Sequence, residues 1–446
     1  MKLDFDSAVF DHDSGRRRVL LDIVTHAIQA VSPDSVMERA MSTDGAVLRV
    51  GAATLDLVDY RRVVVIGFGK ASVGMGRAVV RMLPDCELTG VLVADRVTEV
   101  SSLKVYRGSH PLLDYRSLAA GQLVMKHARE VTAEDLAIVL ISGGGSSLIE
   151  LPTMGLTLDD LQHTNALLLR SGADITELNI VRKHLSSIKG GRLAEALQDA
   201  GAIVTMVISD VVENPLDVIA SGPTVPDPTT FTDALAVIKR YKLNRVMPVR
   251  VLRHLEAGSA GLISDTPAHG EVFIRQTLSV IADAKQAAVA AFEAANRLGK
   301  SARIVSNNLS GEARDTARQV VKDAEQLFPD EMLIYTGETT VTVTGDGIGG
   351  RNQEFALAAS LELEGRDDLV VLSVGTDGID GVTHAAGAFG DGSVVDRARR
   401  IGLDPLDHLR RNDSHSVLNA IGDTLFCGST GTNVGDLVLV WRSPSR

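Results

Sequence analysis

Aromatic side chains are scarce in this sequence. They make up 4% of 446 residues, with a single tryptophan. The cores must therefore be built from Val, Leu, Ile and Ala. Cysteine is scarcer still: Cys86 and Cys427 are the only two. They lie far apart and follow no metal-ligand spacing, which suits a reducing compartment and sets aside a disulfide framework. Long apolar runs are missing, and none approaches the length that spans a bilayer. Net positive charge is missing as well, since the formal net charge is −12. That balance argues against nucleic acid or an anionic membrane as partner, because either calls for a basic face. It leaves room for a local basic pocket around a small anionic metabolite. The opening residues, MKLDFDSAVFDHDSG, lack the charged-then-apolar order of a secretory leader, so a cytoplasmic protein is expected. There is no solenoid-length repeat and no low-complexity tract.

What is present is an alternation. The chain is too long for one ordinary core, so two domains are expected. A helical pattern covers RRRVLLDIVTHAIQAV and stops at Pro33. Then RRVVVIGFGKASVGMGRAVVRML reads as strand, glycine turn and helix. TGVLVAD, LAIVLI and GAIVTMVISD read as further strands, with DYRSLAAGQLVMKHARE as a helix. Such alternation predicts a mostly parallel sheet with helices on both faces. Residues 257–270, rich in Gly, Ser, Ala and Pro, read as a linker. Beyond it, VFIRQTLSVIA, ARIVS, TTVTVTG and LVVLSVGTDG read as strands between helices. The expected fold is α/β in two domains, residues 1–260 and 271–446, with the ligand site in the cleft between them.

Glycine turns recur where strands end: 67–76, 142–147, 345–354, 375–381 and 428–436. In open α/β sheets, ligands bind at the carboxyl ends of strands. Lys70 stands in the first turn, at a helix start where backbone amides already favour an anion. Lys189, followed by two glycines, repeats the arrangement, and Arg182, Lys183 and His184 make that segment locally basic. Arg351 opens a helix after two glycines, with Asn352 and Glu354 beside it. A guanidinium can clamp phosphate or carboxylate with two parallel hydrogen bonds. Asp210 ends a strand, and Asp377 and Asp380 sit on a glycine loop; these carboxylates suit Mg²⁺ or proton acceptance. Each residue alone also reads as an ordinary cap, turn or surface charge. GFGKASVG is neither a dinucleotide fingerprint, because Ser72 stands where the third glycine belongs, nor a Walker loop. Ser146 and Ser147 lack the glycine that a nucleophile elbow needs two residues on. The stretch SGGGSS (142–147) therefore reads best as a backbone cradle for an anion.

Taken together, GFGKAS, ISGGGSSLIELP, VRKHLSSIKGGRLA, ASGPTVPDPTT, GETTVTVTGDGIGGRNQEFAL, GTDGIDG, RNDSHS and GSTGTNVGDL resemble the glycerate 2-kinases of the MOFRL class. Relatives of that class carry hydroxypyruvate reductase names from tartrate utilisation. The resemblance runs in family order over nearly the whole chain. It implies a Rossmann-like N-terminal domain, a C-terminal α/β domain, and ATP, Mg²⁺ and D-glycerate as ligands. It implies catalytic roles for Lys70 and Arg351, joined here by Asp210. Phosphate contacts fall to Gly67, Gly69, Ser142, Gly143, Gly144, Gly145, Ser146, Ser147 and Lys189. Substrate contacts fall to Arg182, His184, Asn352, Glu354, Thr432 and Asn433, and metal contacts to Asp210, Asp377 and Asp380. Ser147, Ile348, Ser429 and Gly435 stand where family members often carry other residues. The alternatives are an NAD(P)H-dependent hydroxypyruvate reductase using the same anions, and a sensor without turnover. Homodimerisation is left open.

Overall fold

The computed structural model describes residues 14–444. The stretch read above for a leader lies outside them. Two compact units emerge. One runs from Val36 to Ile281; the other joins the segment ending at Ser35 to everything from Ala282 onward. The divide thus falls elsewhere than at 257–270. Those residues complete the helix Val249–Ser259 and continue irregularly within the first unit.

The Val36–Ile281 unit begins with an antiparallel meander, β1 (Met41–Asp44), β2 (Val47–Val50) and β3 (Ala53–Asp56). Its main sheet holds β4 (Arg62–Phe68), β5 (Leu88–Ala94), β6 (Lys104–Arg107), β7 (Asp135–Ile141), β8 (Ala202–Ile208) and β9 (Thr277–Ala282), in the order β6-β5-β4-β7-β8-β9. Strands β6 to β8 pair in parallel. Every residue of β7 is buried, as expected for a strand covered on both faces. In register, Phe68 faces Ile141 and Ile141 faces Val207. The carboxyl ends of β4, β7 and β8 therefore lie side by side, and so do the loops that follow them. A second core, which the periodicity did not reveal, is purely helical. The helices Leu158–Arg170, Ile175–Leu185, Phe231–Arg240 and Val249–Ser259 pack Leu168, Val181, Phe231, Ile238, Val251 and Leu255 together. Capping boxes start three of them, at Thr157, Asp174 and Thr230.

The other unit carries β10 (Ser301–Leu309), β11 (Glu331–Gly337), β12 (Leu369–Gly375), β13 (Gly387–Asp391), β14 (Thr424–Leu425) and β15 (Asp436–Arg442), ordered β10-β11-β15-β12-β13-β14. Only β10 and β11 pair in parallel; the rest is antiparallel. The helix Ser14–Ala30 lays Leu20, Ile23, Val24 and Ala27 against the helix Ala284–Arg297 in this unit's core. Pro33 does not merely end that helix; it opens the next, Pro33–Ala40, where its missing N–H costs nothing. The segment TTVTVTG, expected as a strand, is irregular. Three of its amides are taken by side chains instead, Thr342 donating to Glu312 and Thr344 and Gly345 to Asn412, while Thr340 N donates to Gly311 O in a single isolated bridge. The strand lies just upstream, as β11. VFIRQTLSVIA begins with a helical turn, Glu271–Arg275, before β9.

Candidate active site

The loops after β4 and β7 are locked together. Lys70 N donates to Gly143 O at 2.9 Å, and Ala71 N donates to Ser142 Oγ at 3.0 Å. Gly69 (φ 122°) lies so close to Ser142 that a Cβ would meet its Oγ at 2.2 Å. Only glycine fits there, for both conformation and space. Within 142–147 the hydroxyls are already committed. Ser147 Oγ donates to Gly144 O. Ser221 Oγ gives its proton to Asn179 Oδ1, so Ser146 Oγ must donate to Ser221 Oγ at 2.9 Å. The expectation that these serines add donors is corrected accordingly. What the loop offers is backbone: among the described residues the N–H groups of Gly143, Gly144 and Ser146 have no acceptor. Behind it, Ala220 and Ser221 sit at φ 51° and 62°. Such strain in non-glycine residues concentrates at binding sites.

The 143–147 loop, with Val218 and Ala220, lines one side of a cavity of about 660 Å³ lying wholly within the Val36–Ile281 unit; Gly69 and Lys70 adjoin the loop but do not line the cavity. Arg182, Lys189 and Asp210 line it too. A third cation, the exposed Arg170, lines it as well, and Lys189 and Arg182 differ. Lys189 Nζ is buried and paired with the buried carboxylate of Glu150, which also accepts Ser186 Oγ at 2.5 Å and Leu151 N at 3.0 Å. Burial lowers the Lys189 pKa, and Glu150 opposes that shift. Arg182 reaches no carboxylate within ion-pair distance among the described residues. Its Nε donates to Asn165 Oδ1 at 2.9 Å, and burial lowers its pKa. Arg182 is thus a half-buried cavity charge with no carboxylate at ion-pair distance, and Glu150 a partner that no local pattern announced.

His184 does not line the cavity. It is wholly buried, with Nδ1 on Ile180 O at 2.8 Å and its ring edge on Phe231. Lys183 is ion-paired to Asp217 and Asp227. Gly67 lies inside β4, where a Cβ would meet Leu92 Cδ2 at 2.6 Å, so its role is packing. Ser72, at the missing third glycine, is buried with its Oγ on Val93 O at 2.9 Å.

In the other unit, Arg351 opens the helix Arg351–Glu362. Asp436, the first residue of β15, receives Nε at 2.6 Å and one terminal nitrogen at 2.9 Å, and Glu338 receives the other at 2.7 Å. Burial works against the guanidinium's charge, but Asp436 and Glu338 raise its pKa above the ordinary value. Three of its five donors are engaged, which leaves two for a ligand. Because two carboxylates offset its charge, it offers directed hydrogen bonds more than net attraction. Asn352 bridges Asp436 and Asp380. Asp380 accepts from the backbone and side-chain nitrogens of both Asn352 and Gln353. It caps the helix, and its filled oxygens leave no place for a metal. Asp377 Oδ1 accepts Ile379 N at 3.0 Å. Glu354 binds Arg314 and Asn412, and Thr432 is buried on Val31 O, so neither faces a ligand. Asn433 Oδ1 accepts Gly435 N. Burial, with Asp377, pushes the Cys427 thiol up to about 11, which keeps it protonated.

Fold and site together define an α/β protein with a cavity lined by a glycine loop and cationic side chains at the carboxyl ends of a parallel sheet. A domain of unknown function, DUF4147, matches residues 19–256, and the MOFRL family matches residues 331–436. A D-glycerate 2-kinase of Thermotoga maritima is 35% identical over 97% of this chain and 99% of its own length. An Agrobacterium vitis protein with a provisional hydroxypyruvate reductase name is 39% identical over 84% of this chain and 86% of its own. The crystal structure of a glycerate kinase from Thermotoga maritima superposes with a TM-score of 0.83 at 34% identity, covering 96% of this chain and all of that one. The chain belongs to the glycerate 2-kinase family of the MOFRL class. Among the described residues, no helix is long and apolar enough to cross a membrane.

Proposed function

We propose that the protein is a glycerate 2-kinase, transferring the γ-phosphoryl group of ATP to the 2-hydroxyl of D-glycerate to give 2-phosphoglycerate and ADP. The observation that carries this reading is the end-to-end likeness to a protein named D-glycerate 2-kinase. The cavity supports it. Phosphoryl transfer needs positioning and charge neutralisation more than covalent chemistry. The amides of Gly143, Gly144 and Ser146 would hold phosphate oxygens, and Lys70, at the adjoining strand end, would neutralise charge building on the transferred group. Arg182 would take an anionic group, and Arg351 would supply hydrogen bonds to carboxylate or phosphoryl oxygens.

Mg²⁺ fits as an ion carried on the phosphates. Among the described residues no group of three or more His, Cys, Asp or Glu side chains could cage a metal, and magnesium typically needs only one or two carboxylates beside phosphates. When bound, it would neutralise phosphate charge. Asp210, the carboxylate on the cavity wall, is the residue that would hold it, and it also stands to receive the hydroxyl proton. A cytoplasmic location belongs to the same proposal and suits two unpaired cysteines.

The test is an ADP-release assay with D-glycerate, ATP and Mg²⁺, run on the wild type and Lys70→Ala. Loss of an electrostatic stabiliser should cost about 10²- to 10³-fold in rate. The Agrobacterium relative's name favours a second reading, reduction of hydroxypyruvate by NAD(P)H. NADH oxidation with hydroxypyruvate, without ADP formation from glycerate, would put that reading first.

A further inference from the structure

The cavity is larger and more apolar than glycerate requires. Glycerate has three carbons, a carboxylate and two hydroxyls, and it presents no apolar face. Yet the cavity lining includes Leu169 and Ile175, which are 56% and 53% exposed, with the exposed Arg170 between them in sequence. Leaving such side chains in water forgoes the gain of burying them.

Their placement follows from helix geometry. Arg182 and Asn165 join the helices Ile175–Leu185 and Leu158–Arg170 at the polar end of the cavity. Leu169 lies four residues from Asn165 and Ile175 seven from Arg182, so each shares a face with its polar neighbour. Seven residues span about 10 Å along the axis. The helix pair therefore presents Arg182 and Asn165 at one end of the cavity and, one to two turns away, the exposed side chains of Leu169, Arg170 and Ile175 at the other. The matching ligand is anionic at one end and flat and apolar at the other, with a sugar-sized spacer between.

We infer that the outer wall of this cavity, Leu169 and Ile175 with the planar guanidinium of Arg170 available to stack, is the nucleobase subsite, and that the nucleotide lies along the helix pair with its phosphates toward Arg182 and the 143–146 amides. The inference rests on the kinase reading above. It assigns Leu169 and Ile175, which sequence inspection passed over because an apolar helix position ordinarily signals core.

The test uses the full-length protein, the neutral variants Leu169→Gln and Ile175→Gln and their combination. Calorimetric titrations employ ATP and inorganic tripolyphosphate, which has the phosphates without the base. Both side chains are more than half exposed, so the substitutions spare the core, and circular dichroism checks this. The double variant should lose about tenfold in ATP affinity while tripolyphosphate binds as to the wild type. ATP affinity unchanged, an equal loss for tripolyphosphate, or a raised KM for glycerate with that for ATP unmoved would each overturn the subsite. A wild type that binds neither ATP nor tripolyphosphate would overturn the kinase reading itself, and the subsite with it.

Discussion

Glu150 and Lys189 form a buried ion pair at the cavity wall. Removing one partner of such a pair leaves an uncompensated charge, whereas removing both can be nearly neutral. Glu150→Gln should lower unfolding free energy by about 3 kcal/mol in urea titrations. Adding Lys189→Met should restore most of it; failure to do so would assign Glu150 a further partner. Asp391 provides a pH signature. Burial works to raise its pKa, but hydrogen bonds from Ser393 and the charges of Arg397 and Arg17 prevail, and the pKa is lowered. A carboxylate held below its unfolded value stabilises the fold above about pH 4 and loses that contribution as pH falls through the folded value. Asp391→Asn should therefore flatten the fall of Tm on acidification. An unchanged slope would place the acid sensitivity elsewhere.

At the scale of elements, the paired loops after β4 and β7 are the most sensitive point. Gly69→Ala must displace Ser142, because its Cβ would overlap the Ser142 oxygens at φ 122°. A cost of this kind is on the order of 1–3 kcal/mol. The expected result is at least about a tenfold fall in kcat/KM for ATP, with the strand core still cooperative by thermal melting. A normal kcat/KM would show that the 142–147 loop does not need that contact. These glycine turns were legible in the sequence, because β-branched runs followed by glycine are a local pattern. The helical layer from Leu158 to Ser259 was less legible, and Thr339–Gly345 misled. Its Thr/Val alternation suits a strand, but the partners of three of its amides are the side chains of Glu312 and Asn412.

For the whole molecule, the helix Ser14–Ala30 belongs with residues that follow it by more than 250 positions. Arg17 fixes it there: wholly buried, it pairs with Asp423 and lies over the Phe389 ring at 4.8 Å. Arg17→Ala should cost about 1.5–3 kcal/mol through the lost buried charge-assisted hydrogen bond, Asp423 keeping its pair with Arg397. In hydrogen exchange, amides of 284–297 should lose protection while those of β7 keep it. Equal loss in both would show that the two units unfold as one. The sequence by itself determined the α/β alternation, the glycine turns at strand ends and the family, because these are patterns among neighbours along the chain, and its net charge of −12 argues against nucleic-acid or anionic-membrane partners. Only the tertiary structure decided which cations remain available. Lys189 is engaged by Glu150, 39 residues away, and Arg351 by Asp436, 85 away, while Arg182 meets no carboxylate. Charge pairing depends on distance through space, and that distance exists only once the strands are in register.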